Sequence, residues 1–94
     1  MTLPHDSKIT RTENHVATEL DNEFIVMSMG TGQILSLAET AGEIWALLEQ
    51  EQTYGAIIDY FMAEFEVSQE TCEADVSAFL KTLSDQDMVR IEHA

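Results

Sequence analysis

Between Arg11 and Lys81 the chain contains neither lysine nor arginine, and the whole sequence sets four basic side chains against 18 acidic ones, a formal net charge of −14. Nucleic acids and anionic membranes are held by clustered Lys and Arg that displace counterions, so a phosphate-binding surface has almost nothing to be built from. Basic or neutral peptides and proteins become the favoured partner class. Cys72 is the single cysteine, which excludes an internal disulfide, and His5, His15 and His93 are too far apart for a recognisable zinc spacing. The longest apolar run, Ile44 to Leu48, falls far short of the roughly 20 residues that cross a bilayer. Met1 to Lys8 shows no signal pattern, so the expected location is the cytoplasm, with no membrane partner. Proline occurs once, at Pro4, and the 94 residues leave room for one domain.

What is present is a foldable core. The hydrophobic fraction is 45%, too high for a disordered chain. Residues 1–8 read as a flexible tail and 9–92 as a single domain. Val16, Thr18 and Leu20 alternate with Ala17 and Glu19, and Asp21-Asn22 supplies two residues that tolerate positive φ, a hairpin signal. Phe24 to Met29 is apolar on both parities, as a central strand is. A glycine turn, with Gly32 at a left-handed position, returns the chain into Gln33 to Leu37. Three antiparallel strands in a meander are predicted over about residues 15–37.

After Ala38 the period changes to 3.6, with Ala41, Ile44, Trp45 and Leu48 in register. Thr53 is the candidate N-cap of a second helix carrying Tyr54, Ile57, Ile58, Phe61, Met62 and Phe65, and Ser68 that of a third carrying Cys72, Val76, Phe79, Leu80 and Leu83. Helices are predicted near 39–50, 54–65 and 69–86, and Met88 to Glu92 as a short strand or extended tail. The predicted core includes Leu37, Ile44, Trp45, Leu48, Ile58, Phe61, Val76 and Leu80.

Chemistry-bearing constellations are scarce. The acids fall mostly on positions that the periodicities assign to solvent, and Cys72 sits among Glu70, Glu73 and Asp75, which disfavour a thiolate. Gly30-Thr31-Gly32 lacks the lysine and further glycine of a phosphate loop. No nucleophile, base or metal set is visible, so neither catalysis nor a cofactor is expected. The strand Gln33 to Leu37 stands out instead. It has one sequential neighbour, and it lacks the Lys, Pro or inward charge with which proteins blunt a free sheet edge. Unless the termini or a dimer mate cover it, such an edge beside an amphipathic helix can take an extended peptide as another strand.

The ordered set of Phe24 to Met29, Gly32, Leu37, Ala41, Ile44, Trp45, Leu48, Thr53, Ile57, Ile58, Phe65, Val67, Asp75-Val76, Phe79-Leu80, Leu83 and Val89 resembles the PqqD-like family of peptide-binding recognition elements for ribosomally made, modified peptides. The resemblance implies an α+β, winged-helix-like fold: a three-stranded antiparallel meander followed by a three-helix bundle. It also implies a precursor leader peptide added beside the third strand against the third helix, for delivery to a modifying enzyme or leader peptidase, with a radical SAM enzyme and a cysteine protease as the candidates. The peptide-contacting residues are then Gln33, Ile34, Leu35 and Ser36 on the strand, and Asp75, Val76, Phe79, Leu80 and Leu83 on the helix. Gln33-Ile34 and Ala38 depart from the family's aromatic and Asn positions. Met27-Ser28-Met29-Gly30-Thr31 replaces the Leu-Tyr-Pro-Glu-Gly stretch of the pyrroloquinoline quinone branch, which disfavours that pathway and leaves lasso-peptide maturation and radical enzymes. Two readings of other classes stand beside this one. A winged-helix DNA binder is opposed by the acids on the third helix, and a homodimerising adaptor would use the apolar second strand.

Overall fold

The computed structural model describes residues 3–21 and 23–92. Two antiparallel three-stranded sheets and three helices make a mixed α+β architecture. Strands β2 (His15–Leu20), β3 (Glu23–Ser28) and β4 (Ile34–Leu37) form the expected meander. Asp21 turns the first hairpin with φ 49°, and Asn22, the other turn residue expected there, lies outside the described residues. Gly32 has φ 76°, the left-handed conformation for which glycine is suited.

Among the described residues of the segment 1–8 read as a flexible tail, the second sheet ties down His5 to Lys8. Strand β1 (Lys8–Arg11) lies between β5 (Gln52–Thr53) and β6 (Val89–Glu92), with Ile9 opposite Ile91 on one side and Gln52 on the other. Ile9 and Ser7 are fully buried, and the carbonyls of His5 and Ser7 accept from the N–H groups of Gly55 and Tyr54. Met1 and Thr2 lie outside the described residues. A four-residue strand with one buried isoleucine has no periodic signature, and its β6 partner lies some 80 positions away; only pairing reveals it.

Helices α1 (Thr40–Leu47), α2 (Tyr54–Glu64) and α3 (Gln69–Asp85) follow the predicted spans closely. Thr53 and Ser68 cap α2 and α3, each accepting from the N–H three residues on. All eight predicted core residues are buried, joined by Ile9, Val26, Tyr54, Ile57, Cys72, Leu83, Met88 and Val89. Tyr54 keeps its hydroxyl satisfied inside this core by Ser77 Oγ at 2.8 Å and the Glu73 carbonyl at 3.1 Å. Beside the core, Arg11 stacks on the Trp45 ring at 4.1 Å and donates to the Trp45 carbonyl, while His15 meets the same ring edge-on at 5.0 Å.

Helix α1 lies on the inner face of β3 and β4. A Cβ at Gly42 would stand 3.1 Å from the Leu37 carbonyl oxygen, so any larger residue would have to push α1 and β4 apart by a few tenths of an ångström, and glycine lets them approach this closely. The β3–β4 turn is held at the far end of α3: the Ser28 hydroxyl donates to the Gln86 carbonyl at 2.7 Å, and Thr31 bonds the Gln86 side chain at 2.7 Å. These contacts fix where β4 stands relative to α1 and α3.

Candidate peptide-binding site

β4 is an edge strand, since the sheet order is β2-β3-β4 and both terminal strands, β1 and β6, belong to the other sheet. The termini therefore leave the edge open among the described residues. Which groups it offers follows from one bond. Ser28 N–H donates to Gln33 O at 2.9 Å, marking that pair as hydrogen-bonded, and antiparallel ladders alternate. With Val26 opposite Leu35 and Phe24 opposite Leu37, the backbone groups of Leu35 and Leu37 turn into β3. Those of Ile34 and Ser36 turn outward, to an added strand.

The same alternation divides the side chains. Leu35 and Leu37 face the helices, whereas Ile34 and Ser36 lie on the opposite, outer face, with Ile34 63% exposed. Ile34 therefore cannot share a groove with α3, as had been expected of it. Gln33 is exposed, but its carbonyl is used by Ser28 and its N–H by Thr31 Oγ1. On α3, Leu80 and Leu83 have no exposed surface and Val76 almost none, which corrects the expectation that all three anchor a peptide directly. Residues three and four apart on one apolar stripe share a face, and spacing does not tell which of them reach the surface and which lie beneath it.

Of the five α3 residues expected to contact a peptide, exposed Asp75 and half-buried Phe79 remain accessible. They line a cavity of about 250 Å³ with Thr40, Ala41 and Ile44 of α1, directly after β4 in the chain. Gln33 to Ser36 do not line it. Asp75 and Thr40 also border a smaller apolar pocket of about 120 Å³ between α2 and α3, walled by Phe61, Phe65, Val67 and Val76. Here Val76 retains a sliver of surface. Beyond Thr40 lies a wide hollow of about 760 Å³ with Phe24 and Phe65 in its wall and Glu19, Asp21, Glu23, Glu39 and Glu43 around it. Its charge suits a cationic side chain.

Glu39, which joins β4 to α1 as the residue before its first turn, has φ 55°, a positive-φ conformation unfavourable for a glutamate. The Cys72 thiol is buried, and burial, together with Glu73 and Asp75, pushes its pKa up, away from nucleophilic chemistry. Among the described residues no group of three or more His, Cys, Asp or Glu side chains is arranged to hold a metal ion. Ser28, Thr31 and Gln86, which set the position of the edge, were not singled out in the sequence; a serine inside an otherwise apolar strand was the available signal.

Residues 23–89 match the family model described as coenzyme PQQ synthesis protein D (PqqD). The chain belongs to the PqqD family. The match runs from β3 through the start of β6 and so contains the open edge and both helices of the cavity. Two solved structures share the PqqD-type fold. TbiB1, solved in complex with the TbiA(beta) leader peptide, is 27% identical with a TM-score of 0.79, over 86% of this chain and 94% of that one. Lasso peptide synthetase B1, solved with its leader peptide, is 18% identical with a TM-score of 0.73, over 87% of this chain and 96% of that one; at that identity it speaks for the fold alone. No curated protein matches.

Proposed function

We propose that this PqqD-family chain captures the leader segment of a ribosomally made precursor as a fourth strand beside β4 and presents it to a modifying enzyme or leader peptidase, without catalysing a reaction itself. The observation that carries the reading is the open β4 edge, with the backbone groups of Ile34 and Ser36 turned outward and no charge or proline blunting them. The leader-peptide complex of TbiB1 supports it, and a lasso-peptide precursor is the substrate class carried over from the sequence resemblance. The winged-helix-like description of the fold and a cytoplasmic location belong to this proposal.

Ordering a disordered leader costs about 2–5 kcal/mol, so backbone bonds need side-chain anchors. Leu35 and Phe79 supply apolar contact, Val76 lies at the floor of the neighbouring pocket, and Asp75 with the acidic hollow favours a leader carrying Lys or Arg. Gln33 flanks the start of the added strand. Leu80 and Leu83 act from beneath, by holding α3 in place. Calorimetry with the leader of the precursor encoded beside this chain tests the reading. Binding at about micromolar Kd or tighter is expected, and a folded protein that ignores that leader refutes it.

A further inference from the structure

The register places Val16, Met27 and Ile34 side by side in one row across β2, β3 and β4. Alternation puts Leu20 and Ile25 on this same outer face. Val16 and Leu20 are each 56% exposed; Thr18 and Ser36, polar but uncharged, share the face beside Ile25, and among the described residues of these three strands Glu23 is the only charged one on it. Singly scattered exposed apolar side chains need no explanation, whereas the largest apolar patch of a small protein, typically about 300–600 Å², is often functional. Three strands of this length present roughly 300 Å², well below the about 800 Å² per partner of a stable complex. The patch is thus too small for a lasting homodimer, and pairing two copies would also place two sets of Glu23 and Asp21 at the contact with no Lys or Arg on these strands to offset them.

We propose that this outer face is the transient docking surface for the enzyme that acts on the captured precursor, and that the enzyme's matching surface is an apolar patch ringed by Lys and Arg. The proposal rests on the leader-capture reading for the identity of the partner. Ile34 belongs both to the patch and, through its backbone, to the open edge, so an enzyme seated here lies against the added strand. Alternate leader side chains then extend the same face. A small contact area suits a partner that must leave after its reaction.

The test pairs Val16→Thr with Leu20→Thr, which removes apolar surface on the strand farthest from the leader edge, keeps β propensity and changes no charge. The probe is the purified leader peptidase or modifying enzyme encoded beside this chain, titrated by surface plasmon resonance with no leader present. The wild type should bind it, with association slowed by added salt, and the double variant should bind about tenfold more weakly or worse. Its leader affinity and melting temperature should match the wild type. Absent enzyme binding by the wild type, or equal binding by the folded double variant, overturns the proposal. So does a wild-type dimer that the double variant abolishes, which would assign the face to a second copy. Leader binding is measured separately without enzyme; its failure defeats the strand-addition reading, while the enzyme titration still decides the face.

Discussion

Replacing Ser36 by proline removes one N–H from the outward side of β4 and leaves the ladder to β3 intact, because the bonds into β3 come from Leu35 and Leu37. If a leader adds as a strand, it loses one backbone hydrogen bond, a net of about 0.5–1.5 kcal/mol, and its own carbonyl is left facing a proline ring at a further cost of about 1–3 kcal/mol where water cannot reach it. Taken together, the loss should be about 1.5–4.5 kcal/mol, or roughly 10- to 2,000-fold in Kd. Fluorescence anisotropy with a labelled leader reads this directly, and chemical denaturation should show stability within about 1 kcal/mol of wild type. Leu35→Pro is the internal comparison: its N–H bonds β3, so it should lower stability as well as binding. Equal leader affinity for folded Ser36→Pro and wild type would refute strand addition at this edge.

Four further outcomes are expected. Trp45→Ala should destabilise by about 3–5 kcal/mol, a large part of the about 5–14 kcal/mol available to a chain of this length; an unchanged urea midpoint would remove Trp45, with its Arg11 and His15 contacts, from the core. Ile9→Ala should cost about 2–5 kcal/mol in the same assay, whereas a loose N-terminal segment would register nothing. Phe79→Ala should weaken leader binding about tenfold or more with little loss of stability, since the side chain is half-buried at the cavity rim; undiminished binding would separate the cavity from the peptide site. Burial and the Arg11 charge hold the His15 imidazole below its ordinary pKa of 6.5, so on acidification the unfolded chain takes up this proton first. The stability that neutral His15 contributes is therefore full above pH 6.5 and is lost as pH falls through its lower folded value. Melting temperature should drop more over that range in the wild type than in His15→Gln, and parallel profiles would contradict the assignment.

Local chemistry made the site partly legible. The absence of Lys, Arg and Pro from Gln33 to Leu37 identified an undefended edge before any pairing was visible, and Thr53 and Ser68 announced α2 and α3 through their capping geometry. Phe79 and Asp75 of α3 line the cavity beside α1, whereas the same stripe also nominated Leu80 and Leu83, which the core consumes entirely. A helical stripe is wider than a groove rim, so periodicity alone could not divide it.

Composition and period determined the acidic character, the meander and the three helices, because each depends on residues that lie close together in the chain and on preferences that operate locally. Tertiary structure decided the rest. β1 exists because residues 8–11 find partners at 89–92 and 52–53, a pairing whose stabilisation is non-local and so leaves no periodic trace. The openness of β4 depends on those same terminal strands being occupied elsewhere, and its position depends on Ser28 and Thr31 reaching Gln86. The outer apolar row of Val16, Met27 and Ile34 likewise appears only once the register is set, since three side chains drawn from three strands become neighbours through hydrogen bonds between strands, and a shift of one residue would turn the shifted strand's side chains to the other face.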